Sequence, residues 1–235
     1  MKYLKPKHKW GRAFPFKSLG LSCFRKVIRN TLINDLYYDF DLKNAQPEVI
    51  RLLCESNNIP CSKIQRYCAD RVSLLLEVQN HYGVDRDTAK QLFIRMCFFG
   101  TYYGWCKINK IANKQPLEFI TDFERELKDI AERVKKENPA LYETARKKKE
   151  DSDENKENKV LGSFFGLYNQ EYESRIVETV LCYITNHTDL MKVAGTCISV
   201  GSYEYDGIKL LKENVDLYEG GLEAVVELLN EKRLN

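Results

Sequence analysis

Hydrophobic positions along most of the chain follow the period of a helix. Apolar residues recur every three or four positions, which places them on one side of a helix. Helices are predicted over residues 19–33, 48–56, 62–81, 86–99, 116–149, 166–187 and 222–234. Strands are predicted from shorter apolar or alternating runs at 36–42, 196–202 and 203–211. The pattern therefore predicts an α+β fold that is mostly helical, with a small antiparallel sheet built from non-adjacent strands.

Local signals refine these elements. Pro47 falls in the first turn of its helix, where proline is tolerated. Asp85 is a suitable N-cap for the helix that follows it. The first helix is expected to bury Val27, Ile28 and Leu32. Residues 146–159 are almost wholly polar and predict a mobile loop.

Composition is ordinary for a soluble globular protein, with 43% hydrophobic and 30% charged residues. A chain of 235 residues has room for one large domain or two small ones. No apolar run reaches the roughly 18–20 residues that span a bilayer, and residues 1–10 lack the apolar core of a signal peptide. We therefore expect an intracellular protein that is neither secreted nor bound to a membrane.

Eight cysteines fit that compartment as free thiols. Cys54, Cys61 and Cys68 recur every seven residues, which favours helix packing. A zinc site built from them would need a fourth ligand and tighter spacing.

The net charge of +3 conceals a strongly basic N-terminal segment. Residues 1–34 contain nine lysines and arginines and no acidic residue, with aromatic residues between them. Cations attract a phosphate backbone and aromatic rings stack on bases, so this segment predicts nucleic-acid binding. We assign contacts with that backbone to Arg12, Arg25 and Arg29. A solvated basic tail is the alternative interpretation.

Two predicted strands carry carboxylates that suit divalent cations. Asp39 and Asp41 lie two residues apart and therefore share one face of their strand. Asp206 precedes Gly207 at a predicted turn, and an ordinary hairpin turn is the alternative there. Mg²⁺ prefers a few carboxylate oxygens completed by substrate phosphates. We expect Asp41 and Asp206 to hold two Mg²⁺ ions, with Mn²⁺ as a chemical substitute and Asp39 as a third ligand or a support.

The helix after Asp85 carries Arg86 and Lys90 one turn apart. Together they are positioned to bind the β- and γ-phosphates of a nucleotide, although a solvated basic face is the alternative. Phe93, one turn further on, is a candidate for stacking on the nucleobase, with core packing equally compatible. A cation-binding sheet and a triphosphate-binding helix are the parts needed for nucleotidyl transfer by two metal ions.

The order of these segments resembles the motifs of family A DNA polymerases and of single-subunit phage-type RNA polymerases. Trp-Gly-Arg at 10–12 and Arg-Lys-Val-Ile-Arg at 25–29 resemble the two signatures that precede motif A. Asp-Leu-Lys-Asn-Ala-Gln at 41–46 resembles motif A itself. Arg86 and Lys90, with Phe-Phe-Gly at 98–100, resemble motif B. Gln170 lies where the family carries a Gln helix near the primer terminus, and Tyr-Asp-Gly at 205–207 resembles motif C.

Two details narrow the resemblance to the transposon and virus polymerases related to family A. They are Asp-x-Asp-x-x-Asn-Ala-x-Pro at 39–47 and Tyr-Asp-Gly at 205–207. That group occurs in mobile elements and in large or satellite DNA viruses, often joined to helicase domains. The resemblance covers nearly the whole chain, from Gly11 to about Leu211.

The resemblance implies a reduced right-hand polymerase with a small antiparallel palm sheet and helical fingers. Its parts would be residues 1–60 with motif A, fingers at 61–145, a charged loop at 146–159, and palm with motif C at 160–235. The implied partners are a DNA or RNA primer–template, nucleoside triphosphates and a helicase domain or subunit. Gln46 would contact the nucleotide and Gln170 the nucleic acid. The compartment, whether viral replication site, host cytoplasm or nucleus, stays open.

Several departures from the family pattern keep other functions open. Gly207 stands where motif C has a second carboxylate, and Gln46 replaces the Glu that helps to reject ribonucleotides. There is no room for a full thumb or a proofreading exonuclease, so we expect a minimal polymerase or the core of a longer protein. The alternatives to DNA synthesis are primase-like RNA synthesis and an inactive nucleic-acid-binding module derived from a polymerase.

Overall fold

The computed structural model describes residues 3–5, 10–17, 20–112, 115–150, 157–193, 202–204 and 207–232. Over these residues the chain is mostly helical with small antiparallel sheets, which confirms the predicted α+β class. The chain forms two compact units. Met1–Ala45 and Gln170–Asn235 make up the sheet unit, and Gln46–Asn169 make up the helical unit. The sequence-based division into residues 1–60, 61–145, 146–159 and 160–235 stays a prediction.

The elements follow one another in an order that brings distant strands together. The strands are β1 (Tyr3–Leu4), β2 (Phe14–Pro15), β3 (Tyr37–Asp41), β4 (Ser202–Glu204) and β5 (Gly207–Leu211). The helices are α1 (Lys26–Ile33), α2 (Ala45–Ser56), α3 (Ser62–Ala69), α4 (Arg71–Tyr82), α5 (Arg86–Cys97), α6 (Tyr102–Ile108), α7 (Glu118–Glu137), α8 (Pro139–Glu150), α9 (Glu157–His187), α10 (Lys212–Leu217) and α11 (Gly221–Lys232). A short 3-10 helix, Leu21–Cys23, precedes α1.

The sheet unit is organised around three antiparallel strands in the order β3-β5-β4. Alternation along β3 and β5 gives this sheet one apolar face. On that face Phe40, Ile208 and Leu210 pack against a core that includes Val177 and Ile184 of α9. The opposite face carries Asp39, Asp41 and Lys209, because residues paired across antiparallel strands point to the same side. One face of the sheet therefore builds the core and the other presents charge.

The first helix of the sheet unit differs from its prediction. We expected α1 to bury Val27, Ile28 and Leu32, but these side chains are 77%, 48% and 54% exposed, whereas Ile33 is buried. The apolar spacing does predict a helix here, but the prediction of its buried side was wrong. Periodicity identifies an amphipathic helix without showing whether a neighbour covers its apolar side.

The helical unit contains α2 to α8 and the beginning of α9. Residues 62–81 were predicted as one helix, but they form α3 and α4, which are separated at Asp70 (φ −119°, ψ 38°). Residues 116–149 likewise form α7 and α8, separated at Asn138. Asp85 caps α5 as predicted, since its Oδ1 accepts a 2.7 Å hydrogen bond from the Thr88 N–H. The same hydrogen bond is the main cause that lowers the pKa of Asp85.

The segment predicted as a loop at 146–159 is helical at both of its ends. Helix α8 continues to Glu150 and α9 begins at Glu157, so the polar composition does not prevent helix formation at either end. Lysine and glutamate are good helix formers when their charges stay in solvent, which explains the error. Residues 151–156 lie outside the described residues.

Aromatic side chains dominate the interior of the helical unit. Phe93 is fully buried, with ring centroids 4.3 Å from Tyr67 and 5.4 Å from Phe123. Thiols fill smaller spaces. Burial raises the pKa of the Cys68 thiol to about 12 and also raises the pKa values of Cys54 and Cys61. These cysteines therefore remain protonated near neutral pH.

The end of α5 is held by a close helix contact within the helical unit. Phe99 adopts a left-handed backbone conformation (φ 61°), and the Gly100 N–H donates a 2.7 Å hydrogen bond to the Arg95 carbonyl. Gly162 of α9 lies against Phe99 so closely that an added Cβ would stand 2.8 Å from the Phe99 Cβ. One turn further on, a Cβ at Gly166 would meet Phe98 at an ordinary 3.7 Å. Gly162 thus allows a close packing that a larger residue would disturb.

Candidate active site

The charged face of the sheet brings two of the predicted carboxylates together. Asp39 and Asp41 lie on β3, opposite Lys209 and Gly207 of β5 respectively. The Asp41 residue is exposed, and the Asp39 side chain is 44% exposed. The shared face follows from the two-residue period of a strand, as predicted from the sequence.

Gly207 makes room for the Asp41 carboxylate. A Cβ at position 207 would overlap Asp41 Oδ1 and would lie 2.5 Å from the Phe40 carbonyl oxygen. Real Cβ atoms do not approach other atoms so closely, so any larger residue would displace Asp41 or the backbone of β3. The structure thus gives a local reason for a glycine at position 207. A second carboxylate at 207 is incompatible with the observed position of Asp41.

Asp206, the second predicted metal ligand, lies outside the described residues. Its chain neighbour Gly207 is paired with Asp41 on one side and with Glu204 on the other. Residues 205 and 206 thus connect two paired residues of the hairpin β4–β5 in the sequence. The structure therefore describes Gly207, the residue that follows Asp206 in the sequence, and its two paired neighbours.

Asp39 has a partner that the sequence analysis missed. Lys209 Nζ lies 2.5 Å from Asp39 Oδ1, and the Lys209 side chain is only 1% exposed. Lysine is rarely buried unless it is paired, so this ion pair is a defining feature of the charged face. The available signal was a lysine in the otherwise apolar Gly-Ile-Lys-Leu-Leu segment, but its partner could be named only with the strand register in hand.

A cavity of about 340 Å³ opens beside the same end of the sheet. Residues 39–43 and Gly207 form one wall. The other wall is contributed by α9 and α11 and is mostly apolar: Ile176, Val177, Val180, Val226, Leu229 and Asn230. This volume is at the lower end of the range for small-molecule sites.

The donor chemistry at Asp41 suits Mg²⁺. Carboxylate oxygens are hard ligands, and Mg²⁺ typically takes only one or two of them from a protein when phosphates complete its shell. Gly207 places no side chain in front of Asp41 Oδ1. Among the described residues there is no cluster of three or more Asp, Glu, His or Cys side chains that could hold a metal ion. A metal at this place would therefore depend on Asp41, on residues beyond those described, and on substrate oxygens.

The N-terminal cations are partly neutralised within the sheet unit. Arg12 Nε and Nη2 donate to Glu173 Oε2 at 2.9 and 2.7 Å, and the Glu173 side chain is fully buried. Lys5 Nζ and the Gly11 N–H both donate to Glu171, which is also buried. We assigned Arg12 to a nucleic-acid contact and treated all nine cations as uncompensated. That charge balance was wrong, because the acidic partners lie more than 160 residues away in the sequence.

Arg25 and Arg29 belong to α1, where Arg25 occupies the N-cap position and is exposed. Arg29 is half-buried and has further contacts of its own. An exposed arginine beside a helix start can contact a phosphate backbone, so the assignment of Arg25 remains a prediction, as does that of Arg29.

The predicted phosphate-binding residues lie at the start of α5 in the helical unit. Arg86 is exposed and Lys90 is half-buried, one turn apart. Phe93 does not share this exposure, because it is enclosed by Tyr67, Phe119 and Phe123. The structure thus favours the core role that the sequence left open for Phe93, and base stacking would require it to leave the aromatic cluster.

The two predicted glutamines stand at sequence boundaries of the units. Gln46 is the first residue of the helical unit, and Gln170 begins the second segment of the sheet unit. Gln46 is 8% exposed in the first turn of α2, and Gln170 is half-buried on α9. Next to Gln170 in the sequence, Asn169 is fully buried, and neither polar atom of its amide has a hydrogen-bond partner among the described residues. Sequence reasoning did not single out Asn169, since nothing in a helical pattern separates a buried asparagine from an exposed one.

Comparisons with known proteins give one informative similarity. No protein-family model matches the chain, and no solved structure matches it. The chain is 30% identical over 190 residues to a protein named "Putative helicase V13" of Sputnik virophage. The match covers 74% of this chain but only 23% of that protein, so the chain spans less than a quarter of its relative. Over the described residues, the helices all fall short of the length and apolarity required to cross a membrane.

Proposed function

We propose that this chain is the core of a template-directed nucleotidyltransferase that extends a nucleic-acid 3′ end in the replication of a virus or mobile element. The observation that carries the proposal is the pairing of two residues at the end of the sheet. There, Asp41 of β3 lies over Gly207 of β5, the residue joined to Asp206. A strand that ends in a carboxylate, paired with a strand that directly follows a second Asp in the sequence, suits a pair of divalent cations.

The order of motifs along the chain supports the same proposal. The segments that resemble the transposon and virus polymerases include both strands of this site and helix α5. On this proposal the sheet unit acts as a reduced palm and the helical unit as the fingers. The similarity to a much longer virophage protein supports a viral origin and a helicase region as a partner. The 235 residues hold no Gly-x-x-x-x-Gly-Lys segment, the loop that cradles phosphates in many nucleotide-hydrolysing enzymes. This favours polymerisation over a helicase activity of the chain itself.

Each residue has a defined task in the proposed reaction. Asp41 and Asp206 hold divalent cations, which when bound would lower the pKa of the primer 3′-hydroxyl and neutralise charge on the leaving pyrophosphate. Gly207 keeps the Asp41 carboxylate at the strand end. Arg86 and Lys90 bind the triphosphate from one face of α5, assisted by the amides at the helix start. Gln46 leaves the choice of sugar open, so RNA synthesis is the second candidate activity.

Primer extension tests the proposal directly. The chain should extend a labelled primer–template with Mg²⁺ or Mn²⁺, and parallel reactions with dNTPs and NTPs decide the sugar. Asp41→Asn should abolish extension, because it removes a ligand of the catalytic cation. DNA affinity should not fall, because the exposed Asp41 carboxylate contributes no positive charge to DNA binding. Asp35→Asn is a matched control, since Asp35 is exposed but precedes the strand. Normal turnover by Asp41→Asn would refute the assignment.

A second measurement separates an active enzyme from an inactive nucleic-acid-binding module. A ligand that binds only the native state must stabilise it. An active enzyme should therefore show a higher Tm with Mg²⁺ and nucleotide together. An inactive module should respond to DNA but not to this combination, and that result would replace the proposed activity.

A further inference from the structure

Helix α1 of the sheet unit exposes apolar side chains instead of burying them. Val27, Ile28 and Leu32 are 77%, 48% and 54% exposed, and their spacing places them on one side of the helix. Leu36, which follows the helix, is 57% exposed. Single exposed apolar residues are common, but a group of them is typical of a surface that another molecule covers. We call these four residues the α1 surface.

The charge around the α1 surface is positive. Residues 20–34 contain three cations, Arg25, Lys26 and Arg29, and no acidic residue. A nucleic acid would suit this charge, but aliphatic side chains do not stack on bases as aromatic rings do. Interfaces with DNA are also more polar than interfaces between proteins. Aliphatic side chains beside positive charge therefore favour a protein partner whose own surface is apolar and acidic.

The chain carries such a surface itself, in α10 and the first turn of α11. Leu217 and Leu222 are 75% and 40% exposed. Residues 213–223 contain four acidic residues and no basic one, and Glu219 and Glu223 are exposed. We call the two leucines and the acidic residues of this segment the α10 surface. It combines exposed apolar side chains with the charge opposite to that of the α1 surface.

Both surfaces belong to the same end of the central sheet. Helix α1 precedes β3 and α10 follows β5, and Tyr37 at the start of β3 pairs with Leu211 at the end of β5. The Lys212 N–H donates a 2.9 Å hydrogen bond to the Leu36 carbonyl, which joins the two segments. Two neighbouring surfaces of opposite charge can meet the same two surfaces of a second copy about a twofold axis. Each positive surface then faces a negative one.

The size of the α1 surface also favours a contact that occurs twice. Helix α1 has eight residues and is therefore only about 12 Å long. A stable interface buries about 800 Å² on each partner, which is more than one side of so short a helix provides. A twofold axis doubles the contact, because every copy contributes its α1 surface and its α10 surface at once.

We propose that the chain forms a symmetric dimer in which the α1 surface of each copy binds the α10 surface of the other. Opposite charges orient the two copies, and burial of the apolar side chains stabilises the contact. The inference does not depend on the proposed polymerase activity, because the apolar residues of both surfaces have no part in that reaction.

Sedimentation velocity of the full chain over a range of concentrations tests the proposal, and should show a monomer–dimer equilibrium. Val27→Glu places an anion against the acidic α10 surface, and Leu217→Lys places a cation opposite the basic helix. Each should weaken dimerisation by about tenfold or more, since like charges that face each other repel. An equal mixture of the two variants should recover the dimer. In the mixed dimer the new anion faces the new cation in one contact, and the other contact is unchanged.

Val72→Glu is a matched control, because Val72 of α4 is 74% exposed and belongs to neither surface. It should leave dimerisation unchanged, and circular dichroism should show that all the variants are folded. If Leu217→Lys does not fold, Leu222→Lys takes its place in the same experiment. A monomer at every concentration, a dimer insensitive to Val27→Glu, or a mixture that stays monomeric would overturn the proposal. A monomer whose DNA affinity falls in Val27→Glu would also overturn it and assign the α1 surface to nucleic acid.

Discussion

The two units of the molecule stabilise their interiors by different means. Among the described residues, the three charged side chains that are buried are Glu171, Glu173 and Lys209, and all belong to the sheet unit. The helical unit instead buries aromatic rings around Phe93 and keeps ion pairs such as Arg51–Glu55 near its surface. Buried charge is rarely the most stable way to fill a core. Its concentration in one unit therefore makes the stability of the sheet unit depend on ion pairs between distant segments, and that of the helical unit on apolar packing.

The largest change in the free energy of unfolding should come from breaking a buried ion pair of the sheet unit. Arg12→Ala leaves the fully buried Glu173 without this partner and should reduce the free energy of unfolding by about 3–5 kcal/mol. Arg25→Ala, at an exposed position, should change it by no more than about 0.5 kcal/mol. Urea denaturation of both variants measures the difference. Equal small losses would mean that Arg12 is a surface cation after all.

Gly207→Ala should separate activity from stability in the same unit. The added methyl group displaces Asp41 Oδ1 or the backbone at Phe40, and a displacement of about 1 Å in a catalytic group can cost about a hundredfold in rate. Primer extension with Asp41 otherwise unchanged measures this loss. Circular dichroism should show a folded protein. Unimpaired extension by this variant would contradict the role of Gly207 and weaken the assignment of Asp41.

The helical unit offers a paired test of apolar packing. Gly162→Ala brings a methyl group against Phe99 and should destabilise the protein by about 1–2 kcal/mol, since overpacking outweighs the gain in helix propensity. Gly166→Ala meets Phe98 at an ordinary distance and should instead stabilise α9 by up to about 1 kcal/mol. Thermal unfolding of the two variants should therefore shift Tm in opposite directions. Shifts in the same direction would show that the space between Gly162 and Phe99 accommodates a methyl group.

The smallest effect on the fold is expected at the surface of the helical unit. Lys90→Ala should raise the KM for nucleotide about tenfold, as expected when a charge-assisted hydrogen bond to phosphate is lost. Its free energy of unfolding should change by no more than about 0.5 kcal/mol. Lys107→Ala, an exposed lysine of α6, is the control for a nonspecific charge effect. A KM that changes equally in both variants would favour a solvated basic face at α5.

The sequence predicted the local parts of the sheet unit well. The strand at 36–42 was expected, and the shared face of Asp39 and Asp41 follows directly from a period of two. The segment predicted as one strand at 203–211 contains most of β4 and all of β5, and residues 196–201 of the other predicted strand lie outside the described residues. The prediction was less complete for charge. Asp39 and Asp41 were treated as similar ligands, but Lys209 and Gly207 give them opposite environments. No local pattern distinguishes the two carboxylates, because the difference comes from the neighbouring strand.

In the helical unit, the sequence predicted helices but not their breaks or their surroundings. The cap at Asp85 was predicted correctly, because its hydrogen bond joins Asp85 to Thr88, only three positions further along the sequence. The interruption at Asp70 was missed, since the apolar spacing continues across it. Phe93 was left between base stacking and core packing, and only the aromatic neighbours from α3 and α7 place it in the core.

The sequence by itself therefore determined the class of the fold, the start of α5 and the alternation that aligns Asp39 with Asp41. Those features depend on residues within a few positions of one another, where backbone geometry and side-chain spacing act directly. The tertiary structure decided which charges are paired and which apolar side chains are covered. Lys5 and Arg12 find Glu171 and Glu173 more than 160 residues away, and Lys209 reaches Asp39 through strand register. Such contacts exist only once distant segments have packed together, because neither their register nor their burial is encoded by local spacing.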